Sequence, residues 1–275
     1  MRIIFVLLCV LGVSFPVHAK QFLYQGSTPA HVGLRKFLNI SLTDSIDFIK
    51  WQLTIDGSNY NLDCRYGLAK AGTDGFTNGR QIKLAGAIEK QGYRYVLKAD
   101  KRSLFLLEIN SNLLHLLDDK QNMLVGNGGY SYSLNIDNPV KTDQLNTSVR
   151  KSRLKTEETF QGRTPCQELS KIMGLNKSDA CDKMKWYIIF VVDSITGKPS
   201  YYLKGGRGYK RETMSRGKWE TSTGNDGRVL YRLDPDKNFH VYLVKIDDNI
   251  LHFTDSDGNL LVGNKNFSYT LNKIH

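Results

Sequence analysis

Apolar and polar residues alternate with a period of two along many short segments of the chain. Such alternation is typical of β-strands that bury one face. Turn-forming pairs that contain glycine, such as Asn78-Gly79 and Gln91-Gly92, lie between the alternating segments. The pattern predicts about seven or eight short strands in each half of the chain. The clearest segments run from Trp51 to Ile55, Tyr130 to Leu134, Trp186 to Val192, Phe239 to Leu243 and Phe267 to Leu271.

A short helix is predicted near the start of each half. In the second half Thr164 is placed at the N-cap, Pro165 at the first helical position and Gln167 at the third, which together form a capping box. Apolar residues at helical spacing follow from Leu169 to Met173. The first half carries a weaker version of the same pattern, beginning at Thr28.

The two halves share a sequence repeat. The segment 113–135 matches the segment 250–272 at a constant offset of 137 residues and without a gap. Nearer the N-terminus of each half, residues 24–29 match residues 160–165. Because several matches occur in the same order, the chain is predicted to contain two copies of one domain.

The repeat divides the chain into a first copy at 20–138, a linker at 139–156 and a second copy at 157–275. The linker is polar and rich in Lys, Arg, Thr and Ser. Each copy has the size of an independent domain, and antiparallel strands in up-and-down order favour a small closed barrel, with a sandwich as the alternative. The predicted fold is mainly β: two tandem antiparallel β-barrels, each with a short N-terminal helix.

Residues 1–19 have the pattern of a secretory signal peptide. Arg2 precedes an apolar stretch from Ile3 to Val13, and the small residues Val17 and Ala19 suit a cleavage site. The apolar stretch is too short to span a bilayer, and no later segment is predicted to be a transmembrane helix. We therefore expect export to the periplasm or the extracellular space after cleavage near Ala19. A retained N-terminal anchor is the alternative.

The chain is basic, with a formal net charge of +11. A charge of this sign favours contact with anionic surfaces such as lipid headgroups or acidic glycans. The basic residues are scattered, and no Lys/Arg run alternates with aromatic residues as in a nucleic-acid platform. We therefore predict no nucleic-acid partner, and solubility is the alternative explanation of the charge.

Two cysteines of the second copy are predicted to pair. Cys166 and Cys181 correspond to Ala30 and Ile46 of the first copy, so both are absent there together, as expected of partners. An exported protein meets an oxidising compartment, where a Cys166–Cys181 disulfide forms; two free buried thiols are the alternative. Cys64 then remains unpaired and is expected to be buried among apolar neighbours.

Candidate chemistry is sparse. His115 and His252 occupy matched positions, and their nearest acidic neighbours in the chain are Asp118 and Asp255. A metal site needs three or four converging ligands, and none of the familiar metal or nucleophile motifs is present. We therefore predict no metal, no cofactor and no catalytic residue, and we expect both histidines to be structural.

Several short motifs resemble a known family. They are the Gly-x-[Trp/Ile] steps at 86–88 and 217–219, the Tyr-x-Leu steps at 95–97 and 231–233, and the segment 251–260. This set resembles the N-terminal domain of NlpE-type copper-resistance and envelope-stress proteins, which are small lipocalin-like β-barrels of bacterial envelopes. Those domains carry a Cys-x-x-Cys and are lipidated at an N-terminal cysteine. This chain has neither feature, so the resemblance implies neither copper binding nor anchoring.

Our first hypothesis is a non-enzymatic exported envelope protein, a binding or stress-sensor module. Its partner would be a small apolar ligand or an envelope component, held in a Tyr-lined barrel interior or mouth. The candidate ligand-binding residues are His115, His252, Tyr132 and Tyr269. The alternatives are a hydrolase-type enzyme that uses the histidines at the domain interface, and a structural or adhesive surface protein.

Overall fold

A computed structural model describes residues 21–140, 154, 157–174, 181–205, 210–223, 228–234 and 240–274. The predicted signal peptide and most of the predicted linker lie outside these residues. Leu154, which falls within the predicted linker, is buried together with the core of the second copy.

Each copy folds into a closed, antiparallel, up-and-down β-barrel, which confirms the predicted fold and excludes the sandwich. Among the described residues each barrel has eight strands, and its last strand pairs with its first. The strands of the first barrel are β1 (Gln21–Pro29), β2 (Phe48–Asp56), β3 (Asn59–Ala69), β4 (Phe76–Gln91), β5 (Arg94–Ala99), β6 (Arg102–Asn110), β7 (Leu113–Leu116) and β8 (Ser133–Ile136). Those of the second are β9 (Glu158–Pro165), β10 (Lys183–Val192), β11 (Pro199–Gly205), β12 (Ser215–Thr223), β13 (Val229–Leu233), β14 (Val241–Asp247), β15 (Ile250–Thr254) and β16 (Thr270–Lys273).

A short helix follows the first strand of each barrel rather than preceding it. The prediction of Thr164 as an N-cap is wrong, since the N-cap of the second helix is Cys166 and Thr164 lies in β9. The hydroxyl of Thr164 faces the barrel interior, where it accepts a hydrogen bond of 2.9 Å from the indole of Trp186. The described helices are α1 (Val32–Phe37), α2 (Gln167–Ile172) and a 3₁₀ helix (Arg211–Thr213).

Each barrel encloses its own core around a matched tryptophan. Trp51 donates its indole N–H to Thr28 Oγ1 at 2.9 Å, and Trp186 donates to Thr164 Oγ1 at the same distance. Because a buried indole N–H without a partner is costly, the threonine is as much part of the core as the ring is. In both copies, therefore, a threonine hydroxyl of the first strand accepts the N–H of the buried tryptophan.

The Asn78-Gly79 pair is not the turn that the sequence predicts. Both residues lie inside β4, opposite a shift of register between Tyr66 and Leu68 of β3. Asn78 has a φ of 53°, a left-handed conformation that asparagine tolerates. The pair forms a bulge in a long hairpin, and the chain reverses before it, at 70–75.

The two barrels pack against each other through matched residues. Ser131 Oγ lies 3.1 Å from Ser268 Oγ, and Ser133 Oγ lies 3.0 Å from Thr270 Oγ1. The partners in each pair are 137 residues apart, which is the offset of the repeat. Contact between equivalent residues is the property of a self-complementary interface related by a two-fold axis. The barrels thus form a pseudo-symmetric pair within one chain.

Reciprocal contacts from strand to loop extend this interface. The backbone N–H of Gly126 donates to Asn272 Oδ1 at 2.7 Å, and the N–H of Gly263 donates to Asn135 Oδ1 at 2.9 Å. Each asparagine therefore reaches from one barrel to a glycine of the other. A third apolar cluster draws on both barrels, and its buried members are Ile109, Leu113, Leu230, Val244, Ile246, Ile250 and Leu260.

Candidate functional site

The matched histidines lie buried in the interface between the barrels. In β7, His115 Nε2 donates to the carbonyl oxygen of Leu124 at 2.8 Å, and Nδ1 lies 3.2 Å from the hydroxyl of Ser133. A carbonyl only accepts hydrogen bonds, so Nε2 carries the proton and Nδ1 accepts from the hydroxyl when the ring is neutral. Burial lowers the pKa of His115 to about 4, which keeps the imidazole neutral near pH 7.

The second histidine repeats this arrangement. His252 Nε2 donates to Leu261 O at 2.8 Å, and Nδ1 lies 3.0 Å from Thr270 Oγ1. Burial lowers the pKa of this imidazole to about 4 as well. All four ring nitrogens of the pair are thus bonded to backbone carbonyls or hydroxyls, and none of these partners is a carboxylate.

The acidic residues closest to the histidines in sequence form hydrogen bonds within the turns that contain them. Asp118 Oδ1 accepts the backbone N–H groups of Lys120 and Asn122, both at 2.8 Å. Asp255 accepts the corresponding pair of N–H groups in the second copy, both at 2.9 Å. These carboxylates stabilise hairpins, and among the described residues neither of them is hydrogen-bonded to a histidine.

The two predicted ligand-binding tyrosines support the helices. Tyr132 is buried in the first core, where its ring meets the ring of His31 edge-on. Tyr269 is buried in the second core, and its hydroxyl accepts the backbone N–H of Glu168 in α2 at 3.2 Å. Burial raises the pKa of Tyr269 to about 12. Neither tyrosine nor either histidine lines the cavities described next, so their role in ligand binding stays a prediction.

A cavity of about 220 Å³ lies at one end of the second barrel, next to α2. Its walls come from five strands, β10 to β14, from the loop after β13 and from the residue that follows α2. The lining is part aromatic and aliphatic and part charged. The lining residues are Met173, Trp186, Tyr202, Lys204, Ser215, Arg216, Leu233, Asp234 and Val241.

The strand pairings, counted from the matched tryptophans, identify the residues of the first barrel that correspond to the cavity lining of the second. Two residues after Trp51, β2 pairs with Leu62 of β3, which pairs with Leu84 of β4. Two residues after the matched tryptophan, β10 pairs with Lys204 of β11, which pairs with Ser215 of β12. Leucines of the first barrel are therefore replaced by a lysine and a serine in the second.

At other positions of the lining, both barrels have buried apolar residues. Leu97 and Leu104 are buried in the first barrel, and the matching Leu233 and Val241 are buried in the second. In the first barrel Leu62 is also fully covered, while Leu84 packs against the core at its edge. The change from apolar to polar is thus concentrated at two neighbouring positions of one row across the sheet.

The charged groups of the cavity are arranged around aromatic rings. Lys204 Nζ lies 5.1 Å from the centroid of the Trp186 ring, within the range of a cation–π contact. The Arg216 guanidinium carbon lies 3.7 Å from the centroid of the Tyr201 ring, on the neighbouring strand. Arg216 pairs with Leu203, so its side chain lies on the outer face of the sheet, and Lys204 is a cation held against an aromatic ring of the cavity lining.

The acidic group of the cavity is engaged by a tyrosine. The Tyr202 hydroxyl donates to Asp234 Oδ2 at 2.8 Å, and burial together with this carboxylate raises the pKa of Tyr202. In the first barrel the matching Tyr60 donates instead to the backbone carbonyl of Lys98 at 3.0 Å. Gly217 permits this arrangement, since a Cβ there would collide with the Tyr202 ring.

Two other cavities in the described part of the chain have mixed charge. One, of about 670 Å³, lies between the barrels and has Arg94, Asp247 and Asp248 in its lining. The other, of about 220 Å³, lies beside the first barrel, where Arg80 pairs with Asp44 at 2.8 Å. In neither does the lining present one dominant charge to a ligand.

The predicted disulfide is confirmed. Cys166 and Cys181 are bonded, and the bond joins the N-cap of α2 to the residues before β10. Cys64 is not in a disulfide and is fully buried, as predicted, and burial raises the pKa of its thiol well above the ordinary value. A thiol in this state is unreactive.

Within the described ranges, no group of three or more His, Cys, Asp or Glu side chains could hold a metal ion. None of the helices in those ranges has the length and apolar character needed to cross a bilayer.

Comparisons with protein-family models, curated proteins and solved structures found no match. The second copy is therefore the available comparison for the first. Features shared by both copies, such as the Trp–Thr pair and the interface histidines, are explained by packing. The exchange of the buried Leu62 for the partly buried Lys204 has no such explanation, whereas Ser215 is exposed and a serine there needs none.

Proposed function

We propose that the protein is a non-enzymatic, exported binding protein of the bacterial cell envelope whose ligand site is the cavity at the end of the second barrel. The observation that carries the proposal is the replacement of Leu62 and Leu84 by Lys204 and Ser215 at matched positions. Replacing the buried Leu62 by a partly buried lysine and the partly buried Leu84 by an exposed serine gives up apolar burial. A barrel that needed only stability would keep the leucines.

The size and shape of the cavity suit a small molecule. At about 220 Å³ it is smaller than the roughly 300–1,000 Å³ pockets that hold drug-sized ligands. An eight-stranded barrel has room inside for side chains or for one small ligand. In this proposal the first barrel, with its leucine-filled end, supplies a stable base to which the second barrel is fixed through the pseudo-symmetric interface.

The envelope location rests on the sequence and on the disulfide. The N-terminal pattern predicts export, and the Cys166–Cys181 bond suits an oxidising compartment. The resemblance to NlpE-type domains is consistent with a binding or sensing role there. The hydrolase hypothesis is weaker, because His115 and His252 have both ring nitrogens bonded inside the interface.

Thermal-shift measurements on the chain from residue 20 test the proposal. Small carboxylates, phosphates, neutral aromatic compounds, lipids, glycans and metal ions would be screened for a rise in Tm. The double variant Lys204→Leu/Ser215→Leu restores the first-barrel pattern and fills the cavity, so any shift seen with the wild type should disappear in it. Lys185→Leu, on the outer face of β10, makes the same charge change away from the cavity and should keep the shift.

Two results would contradict the proposal. One is a wild-type protein that no compound class stabilises. The other is a stabilisation of equal size in the filled-cavity double variant, which would place the ligand elsewhere.

A further inference from the structure

The interface between the barrels has two flanks that are related by the pseudo-two-fold axis, and the two flanks differ. One is filled by apolar side chains, and the other holds the cavity of about 670 Å³, called here the interface cavity. We propose that the interface cavity is a second binding site and that its ligand is a short, uncharged oligosaccharide. The site is separate from the cavity of the second barrel and goes beyond the proposed function.

The strand pairings identify a position at which the two flanks differ. Arg94 of β5 pairs with Leu107 of β6. In the second barrel Leu230 of β13 pairs with Val244 of β14. Leu107 and Val244 are separated by the offset of the repeat, so Arg94 and Leu230 hold equivalent positions. Leu230 is buried in the apolar cluster shared by the barrels, whereas Arg94 is exposed in the lining of the interface cavity.

Other matched positions show the same difference. Leu260 is buried in the shared cluster, and its match in the first copy is the half-buried Met123 of the cavity lining. Asn112 is buried and exchanges two hydrogen bonds with the backbone of Val140, at 2.6 and 3.0 Å. Its match, Asn249, is partly exposed in the cavity lining. One flank is thus covered by leucines and by the chain after β8, while the other is open.

Tyr93 supplies an aromatic face to the interface cavity. It is 51% exposed, and it is the single exposed aromatic residue in the part of the chain that the structure describes. It lies in the two-residue turn between β4 and β5, and its carbonyl oxygen accepts the backbone N–H of Glu108 at 2.7 Å, which fixes the turn to β6. The apolar C–H face of a sugar ring can cover such an aromatic ring, and this contact removes apolar surface from water.

The polar part of the lining suits a ligand with many hydroxyl groups and no charge. Arg94 and Asp247 have opposite charges, so a charged molecule of either sign would meet a like charge in the cavity. The Arg94 guanidinium has no hydrogen bond or ion pair with another described residue, and it offers five N–H donors. Asp247 Oδ1 accepts the backbone N–H of Asn249 at 3.0 Å, and a carboxylate has further lone pairs. Sugar hydroxyls donate and accept, so they match both kinds of group.

A zwitterionic peptide is the main alternative ligand, since it carries both charges. The second carboxylate of the lining, Asp248, lies 3.4 Å from the ammonium of Lys245. This ion pair offsets the negative charge that a peptide ammonium would need, but the carboxylate can still accept hydroxyl groups. The cavity volume falls within the roughly 300–1,000 Å³ of pockets that hold drug-sized ligands, and a disaccharide is of that size.

Saturation-transfer NMR and isothermal titration of the full mature chain test the inference. The neutral probes are maltose, cellobiose, lactose and N,N′-diacetylchitobiose, each at millimolar concentration. The charged comparators are chitobiose, which is the cationic deacetylated form, the anionic digalacturonate and the zwitterion triglycine. We expect at least one neutral disaccharide to bind at least tenfold more tightly than every charged comparator.

Variants of two exposed residues of the lining locate the bound sugar. Tyr93→Ala removes the ring and should weaken binding at least tenfold, whereas Tyr93→Phe keeps the ring and should retain most of the affinity. Arg94→Leu introduces the residue of the filled flank and should also weaken binding at least tenfold, without a fall in Tm. Arg65→Leu, which removes an exposed arginine of β3 outside the lining, should leave the affinity unchanged.

The inference is overturned if none of the four disaccharides binds, or if Tyr93→Ala binds the sugar as tightly as the wild type. Triglycine as the tightest ligand would also overturn it and would assign the cavity to a peptide. The double variant Lys204→Leu/Ser215→Leu leaves the interface cavity unchanged, so sugar binding should persist in it. Sugar binding that is lost in this double variant but kept in Tyr93→Ala would place the sugar in the second barrel, against this inference and for the proposed function. A sugar with the opposite pattern binds in the interface cavity, and the other compound classes then test the second barrel.

Discussion

At the residue scale, the hydrogen-bond network around the interface histidines has fewer donor hydrogens than it has contacts between polar atoms. The hydroxyls of Ser133 and Thr270 lie 3.0 Å from each other, and each also lies beside the Nδ1 of its own histidine. When both rings are neutral, each hydroxyl donates its single hydrogen to a histidine, and none is left to bridge the two hydroxyls. One added proton would complete the chain of bonds, but burial opposes it and lowers both histidine pKa values to about 4.

This network predicts that stability falls on acidification. The unfolded chain takes up protons at its histidines near pH 6.5, whereas folded His115 and His252 take them up only near pH 4. Stability contributed by the neutral rings is therefore present above about pH 6.5 and is lost as the pH falls toward 4. We expect the free energy of unfolding in urea to decline with a slope approaching about 1.4 kcal/mol per pH unit for each histidine.

The control variant is His115→Gln, whose amide can still donate to the carbonyl of Leu124. In this variant the free energy of unfolding should fall less steeply with decreasing pH than in the wild type, by up to about 1.4 kcal/mol per pH unit, because one titrating histidine has been removed. An unchanged slope would mean that carboxylates, and not the interface histidines, set the acid sensitivity.

At the element scale, the alternation of apolar and polar residues predicted the strands well, whereas turn and helix-cap residues predicted the ends of the strands poorly. The first strand of each barrel was missed because it ends in Gly-Ser-Thr-Pro and Gly-Arg-Thr-Pro, residues typical of turns and helix caps. Thr164 was assigned to a cap because a buried indole partner such as Trp186 cannot be recognised in the sequence. Asn78-Gly79 forms a bulge because the long hairpin continues past it.

The candidate site was missed for a related reason. Leu62 matches Lys204 at an offset of 142 residues, and Leu84 matches Ser215 at an offset of 131, as strand register shows. The hairpin between these strands differs in length in the two copies, so the constant offset of 137 does not apply there. An alignment of the copies with gaps, anchored on the matched tryptophans, would have revealed the polar positions.

Reciprocal exchanges within this row should have opposite effects on stability. Leu62→Lys places a charge in the filled end of the first barrel and should lower the free energy of unfolding by on the order of 3 kcal/mol or more. Lys204→Leu fills a cavity in the second barrel and should be neutral or stabilising. Urea titration followed by tryptophan fluorescence measures both. Equal destabilisation by the two changes would mean that Lys204 is needed for packing.

At the scale of the whole molecule, the repeat predicted two barrels but not their contact. The sequence shows that matched positions exist, and it cannot show that Ser131 faces Ser268 or that Asn135 reaches Gly263. Those contacts come from polar residues that alternation assigns to the outer face of a barrel. Here part of that outer face is buried by the other barrel.

The pseudo-symmetry predicts matched effects at matched sites. Asn135→Ala and Asn272→Ala each remove the acceptor of a glycine N–H in the other barrel. Each should lower the free energy of unfolding by about 1–3 kcal/mol, because a partly buried donor loses its partner. Chemical denaturation of the two variants, with the exposed Asn59→Ala as a control, measures this. If only one of the two variants lost stability, only one of the two asparagine–glycine contacts would stabilise the interface.

The joining of two self-complementary barrels on one polypeptide has a consequence for how the pair can vary. In an assembly of two identical chains, any substitution is present in both subunits, so a lysine in place of a core leucine would open both barrels and weaken both. On a fused chain the same exchange occurs once. One barrel then keeps its fully apolar interior while its neighbour, held by the shared face, tolerates the polar opening that Lys204 and Ser215 create.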